Sequence, residues 1–245
     1  MKLNRALHRT LQALALLAWC ALALQLAFAL RIVLMTVIDP ASTTFQRSEI
    51  LRLLVDTQRI TWSQEWRAGA GISAHLQRAV IASEDADFAQ HAGVDWDAID
   101  KARDRNQRAQ VRAERRGAAA RPPRLRGGST ITQQLAKNLF LSGERTVLRK
   151  GQELLLTWML ELLLSKQRIL ELYLNHVEWG EGVFGAQAAA RHYFRVDADR
   201  LSPMQAARLA VMLPAPKRFE RQPASAYLQA RSATILARMQ AVELP

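Results

Sequence analysis

Apolar residues in this chain fall into one uninterrupted run followed by shorter, periodic segments. Thr10 to Leu30 carries no charge over 21 residues and consists mainly of Ala and Leu. As a helix it would be roughly 31 Å long, the thickness of a bilayer's hydrocarbon core. Lys2, Arg5, His8 and Arg9 precede it, a basic flank that favours a cytoplasmic N-terminus and export of the remainder of the chain. Ala27-Phe28-Ala29 fits a signal-peptidase site, so a cleaved leader is the competing reading. The length of the run, and the return of apolar character from Ile32 to Ile38, favour a retained anchor. The organisation expected is a cytoplasmic tail over 1–9, an anchor over 10–38, a connector over 39–70 and one domain over 71–245.

After Asp39-Pro40 the pattern is helical, with few strand signals. A short helix is expected near Ile50 to Val55, and Trp62 and Trp66 read either as core packing or as an aromatic pair facing a membrane. Leu76, Val80 and Ile81 share a face leading into Glu84-Asp85. Thr130-Ile131-Thr132-Gln133 fits a capping box, which starts a helix at Ile131. Glu153 to Asn175 reads as one or two long helices with a break at Ser165-Lys166. The run Leu154 to Leu164 is too short, and too interrupted by Glu161, to cross a bilayer. Gly180, Gly182 and Gly185 mark a loop before a helix from Ala186 to Tyr193. Ser202 caps another helix with Pro203 in its first turn, Leu213-Pro214-Ala215-Pro216 closes it, and Ala226 to Ala241 forms the last. The fold class expected is mainly α.

Composition narrows this further. At 245 residues the chain supports one substantial core, and 49% hydrophobic residues exclude wholesale disorder. The single cysteine, Cys20, rules out an internal disulfide or a thiolate metal site, and the five histidines form no i,i+4 pair. A net charge of +12 points to a polyanionic partner: nucleic acid, an anionic membrane or a phosphorylated substrate. The charge is concentrated. Between Lys101 and Arg126, ten Lys or Arg stand against Asp104 and Glu114, so +8 of the +12 lies there. This polar stretch ends in Arg121-Pro122-Pro123-Arg124 and reads as a partly mobile loop or frayed helix. It is either a solvated face or an electrostatic contact to a membrane or substrate.

Three groups of residues are suited to chemistry. Glu84 and Asp85 are adjacent carboxylates pointing about 100° apart on a helix; one can act as a base while the other organises the backbone, although a pair of surface acids is the plainer explanation. Burial suggested by Leu76 and Phe88 would raise a carboxyl pKa toward the working range. Gly127-Gly128-Ser129-Thr130 leads into a helix whose first amides form an anion site, with Gln134, Lys137 and Asn138 on neighbouring turns. Capping alone accounts for Thr130 and Gln133. Arg149 and Lys150 lie i,i+4 and i,i+3 from Glu153, which is either an exposed salt-bridged turn or, with Lys137, three cations for one phosphate cluster. The P-loop spacing is missing.

Together these residues resemble the glycosyltransferase 51 family, the peptidoglycan polymerases, and most nearly its monofunctional, membrane-anchored members. The resemblance covers about residues 70 to 220. It rests on Glu84-Asp85-x-x-Phe88-x-x-His91-x-Gly93, Gly128-Ser129-Thr130-Ile131-Thr132-Gln133-Gln134-x-x-Lys137-Asn138, Arg149-Lys150-x-x-Glu153, and Lys166-x-x-Ile169-Leu170-Glu171-x-Tyr173-Leu174-Asn175. Gln187 stands where a Glu is common, the basic linker is longer than the pattern suggests, and no S-x-x-K of a transpeptidase occurs. The resemblance implies a lysozyme-like, mainly helical domain with an apolar lobe dipping into the outer leaflet. It further implies a single-pass protein of the cell inner membrane, its catalytic domain on the periplasmic side. Lipid II would be joined to the growing glycan chain with inversion, releasing undecaprenyl diphosphate. Glu84 matches the family's base and Glu153 its second carboxylate, while Lys137, Arg149 and Lys150 would hold the diphosphate. Asp85, Ser129, Gln134 and Asn138 would complete the substrate site. A divalent cation, Mg or Mn, could accompany the diphosphate near Glu153. Partners implied are lipid II, the membrane and other cell wall synthesis or division proteins, with no nucleic acid. The rival readings are a lysozyme-type glycan-cleaving enzyme and a membrane-tethered polyanion-binding protein.

Overall fold

The computed structural model describes residues 2–115, 127–141 and 146–245, with side chains from His8 onward. The part of the basic run from Arg116 to Arg126 lies outside the described residues. Eleven α-helices are present among the described residues: α1 (Lys2–Leu34), α2 (Thr44–Thr57), α3 (Ala74–Glu84), α4 (Trp96–Arg115), α5 (Ile131–Phe140), α6 (Val147–Leu163), α7 (Lys166–His176), α8 (Ala186–Phe194), α9 (Pro203–Met212), α10 (Pro216–Arg221) and α11 (Ala226–Arg238). Three very short strands, β1 (Ser63–Gln64), β2 (Glu178–Gly180) and β3 (Val183–Phe184), form a sheet in the order β1-β3-β2. β3 runs parallel to β1, pairing Ser63 with Val183, and antiparallel to β2. The expected glycine loop at 180–185 is therefore a β-hairpin, too short to show alternation in sequence.

The helix boundaries follow from local hydrogen bonding. Thr130 and Gln133 form a full capping box at the start of α5, as Ser202 and Gln205 do for α9. Ser165 accepts from Arg168 N–H and caps α7, which is why the long apolar stretch breaks there instead of continuing from α6. The connector helix is longer than expected, because Thr43 and Gln46 make a further capping box that starts α2 well before Ile50. α4 is the clearest departure. Lys101 to Arg115, expected as loop or frayed helix, is continuous helix. Ala102, Asn106, Ala109 and Ala113 recur at helical spacing along its more buried side.

α5 and α7 lie in the centre of the core, which includes Leu135, Leu139, Ile169, Tyr173, Trp179 and Phe88, all fully buried. α3 packs on α9 and α11, and α5 packs on α6, α7 and α2. α1 is long and apolar enough over His8–Leu34 to cross a membrane. Its second half also docks on the domain. Gln25 and Gln152 of α6 exchange two amide hydrogen bonds of 3.0 Å. Phe28 meets Phe140 edge-on at 5.4 Å, and Arg31 lies 5.1 Å from the same ring. Arg168 donates to Met35 O at 2.7 Å and pairs with Asp39. Val147, Leu148, Leu155, Trp158 and Leu162 leave much of α6 apolar and exposed.

Candidate active site

Glu84 is the last residue of α3, and Asp85 leaves the helix with φ −162°. The two carboxylates consequently diverge. Asp85 is buried, and both of its oxygens are used: one accepts from Ile131 N–H at 2.9 Å, the other meets His91 Nε2 at 2.8 Å. Gly93 N–H donates to His91 Nδ1 at 3.1 Å, so the ring carries its proton on Nε2 and donates to Asp85. Thr130 Oγ1 in turn donates to Gly93 O at 2.6 Å. Asp85, expected among the substrate-binding residues, thus ties the end of α3 to the start of α5.

The same contacts engage three amides at the start of α5, where an anion site is expected. Thr130 N–H donates to Gln133 Oε1, Ile131 N–H to Asp85 and Gln133 N–H to Thr130 Oγ1. These amides are taken by the protein's own groups. Gly128 likewise makes room for protein and not for a ligand, since a Cβ there would stand 3.0 Å from Ile99 Cα in α4. Gly93 has φ +85°, and a Cβ on it would lie 2.7 Å from Thr157 Cγ2, so α6 packs against this turn only because glycine occupies it.

Glu84 is partly buried and faces α5, where Gln134 Nε2 donates to its Oε2 at 3.1 Å. Tyr173 OH donates to Gln134 Oε1 at 2.9 Å, which fixes the amide with its N–H toward the carboxylate. Burial holds the Tyr173 phenol well above its usual pKa, keeping it a donor. Burial also raises the Glu84 carboxyl above its ordinary value, with the Asp85 charge adding to the rise. Hydrogen bonds from Gln134 and Ser83 act against it. Gln134, expected in the donor site, thus sits directly on the candidate base.

Lys137 and Asn138 follow Gln134 at i+3 and i+4, on the same side of α5 and about 4.5 Å further along it. Lys137 is exposed and Asn138 half-buried; Lys137 has no ion pair among the described residues. Ser129 is exposed just ahead of the cap. α5 and α6 run as an antiparallel hairpin, closed at one end by Thr132 Oγ1 donating to Glu161 Oε1 at 2.5 Å.

Glu153 is buried on α6, with Arg149 on one oxygen at 2.7 Å and Lys150 on the other. Arg149 Nε is buried without a partner among the described residues. Lys150 remains half exposed. Among the described residues no cluster of three His, Cys, Asp or Glu could hold a metal. Both Glu153 oxygens carry cationic partners, so these residues do not fit a resident divalent ion.

Sequence reasoning missed the struts of this site. Lys166 bonds Glu161 at 2.9 Å and His91 O at 2.7 Å, and its ammonium lies 4.5 Å from the centre of the Phe88 ring. The last resemblance motif therefore braces the first. Tyr173 belongs to the same motif, and its position four residues before Val177 on an apolar face gave no hint of Gln134 as partner. Gln187 spans Asp197 and Ala198 N–H inside the fold.

Comparison with known proteins shows the family of the chain. Residues 52–240 match the family model described as Transglycosylase. The chain is 53% identical over 209 residues to a biosynthetic peptidoglycan transglycosylase of Bordetella avium (strain 197N), covering 84% of this chain and 83% of that protein. It is 52% identical over 228 residues to the protein of that name from Burkholderia pseudomallei (strain K96243), covering 93% and 84%. With the carboxylate, amide and cation positions of the family pattern held by one helical scaffold, the chain belongs to the transglycosylase family.

Proposed function

We propose that this transglycosylase polymerises lipid II at the outer face of the cytoplasmic membrane. Its class is that of a peptidoglycan glycosyltransferase, building glycan strands in cell wall synthesis. The finer reading, with α1 as a single-pass anchor and lipid II as donor and acceptor, rests on the site. A sugar hydroxyl is a poor nucleophile and requires a base. Glu84 takes the proton of the acceptor 4-hydroxyl as its oxygen attacks C1 of the lipid-linked chain. The bond from C1 to the diphosphate oxygen breaks with inversion, and the electron pair leaves with undecaprenyl diphosphate. That leaving group needs positive charge more than a proton. Arg149, Lys150 and Lys137 supply it, with Glu153 holding the first two in place. Ser129 and Asn138 shape the donor side. If a divalent cation takes part, it arrives on the diphosphate.

The observation that carries this reading is the junction on α5. A carboxyl with a raised pKa is bonded to Gln134, one turn before Lys137, which has no ion pair among the described residues. A lysozyme-type enzyme would need a protonated carboxyl at the leaving sugar and no phosphate-holding cations. The test is purified full-length chain given labelled lipid II, with and without chelator. Glycan polymer and undecaprenyl diphosphate are the expected products; cleavage of finished glycan without polymer would replace this reading with the hydrolase.

A further inference from the structure

The proposed reaction makes no use of the long basic helix. Along α4, Lys101, Arg105, Arg108, Arg112 and Arg115 recur at intervals of four, three, four and three residues, which sets them on one flank of a helix with 3.6 residues per turn. All five are exposed. The stripe is about 21 Å long at 1.5 Å per residue. Among the described residues none of the five has an ion pair; Arg105 Nε bonds only the backbone oxygen of Lys101, at 2.9 Å. The opposite flank is different in kind. Arg103, Gln107 and Gln110 line a groove there with Asn106 and Gly128.

We propose that the stripe from Lys101 to Arg115 is a docking surface for anionic phospholipid headgroups of the membrane that holds α1. The charge pattern matches such a partner. A lipid surface offers a sheet of negative charge to a straight row of flexible cations and asks for no shaped pocket. Tethering by α1 keeps that sheet within reach, so moderate attraction suffices to hold α4 down. A helix pinned in this way fixes one wall of the groove beside Gly128. The inference rests on the anchored orientation of the proposed function, and goes beyond it in giving α4 a lipid partner.

The test uses full-length protein in nanodiscs, with Cys20→Ser removing the chain's single cysteine and Val111→Cys, exposed beside the stripe, carrying a fluorophore. Headgroup spin-labelled lipid is the quencher. Quenching is expected in discs with about 30 mol% phosphatidylglycerol, falling toward the phosphatidylcholine level in about 0.5 M salt. Arg105, Arg108 and Arg112 changed together to Gln should lose the quenching, and changed together to Lys should keep it. Equal quenching in purely zwitterionic discs, or in the Gln variant, would overturn the proposal. No quenching in anionic discs, with the fluorophore's emission shifting instead when acidic glycan polymer is added, would assign the stripe to the product. Polymerisation by the same samples separates the two readings: polymer without lipid contact counts against the stripe alone, and lipid contact without polymer counts against the reaction alone.

Discussion

The two halves of the candidate site are built on opposite plans. Around Glu84 nearly every polar group is committed: Asp85 to His91 and Ile131, Gln134 to Glu84 and Tyr173, Thr130 to Gly93. Around Glu153 the charges are paired but donors are left over: among the described residues a buried Arg149 Nε lacks a partner, and Lys137 and Lys150 reach solvent. A base must be aimed before the substrate arrives, so its surroundings are rigid and self-satisfied. A grip for a departing diphosphate must keep unspent donors, and must let go of its anion at the end of each cycle.

Breaking each half should therefore have a different signature. Glu84→Gln removes the base from an intact frame, and polymerisation should fall about a thousandfold while the thermal midpoint stays near wild type. Glu153→Gln releases Arg149 and Lys150, so turnover should fall about a hundredfold. Lipid II binding, measured apart from turnover, should change with it, as it should not in Glu84→Gln. Asp85→Asn sets an amide N–H against a donor it formerly accepted from, either Ile131 N–H or His91 Nε2–H. A stability loss of about 1–3 kcal/mol is expected in thermal or denaturant unfolding, with activity falling as a consequence of the loosened frame. Tyr173→Phe should have the smallest effect, a loss of about tenfold or less, because Gln134 keeps its place and loses only the bond that fixes which way its amide points. A Tyr173→Phe loss as deep as that of Glu84→Gln would show that the phenol takes part in the chemistry.

The contrast also marks what could be read from the sequence. Local signals were legible. The capping boxes at Thr130 and Ser202 and the break at Ser165 depend on side chains that bond their own backbone within three residues. The four motifs are legible for the same reason: each is short and local in sequence. Illegible were the bonds between distant elements. Asp85 reaches Ile131 across 46 residues, Thr132 reaches Glu161 across 29, and Tyr173 reaches Gln134 across 39. In sequence Asp85 and the amide of Ile131 each look available, and only the fold sets one against the other. α4 was hidden differently. Its high charge imitated a loop, while the helical signal lay in a thin, mostly alanine seam.

The pH dependence of kcat/KM for lipid II tests the central claim most directly. Glu84 works as a base only when deprotonated, and burial raises its pKa. Polymerisation should therefore be lost as pH falls through a value above the ordinary carboxylate range. Gln134→Leu withdraws an N–H that stabilises the anion, so its acid limb should move to higher pH than wild type. An acid limb at the ordinary carboxylate value, unmoved by Gln134→Leu, would contradict the account.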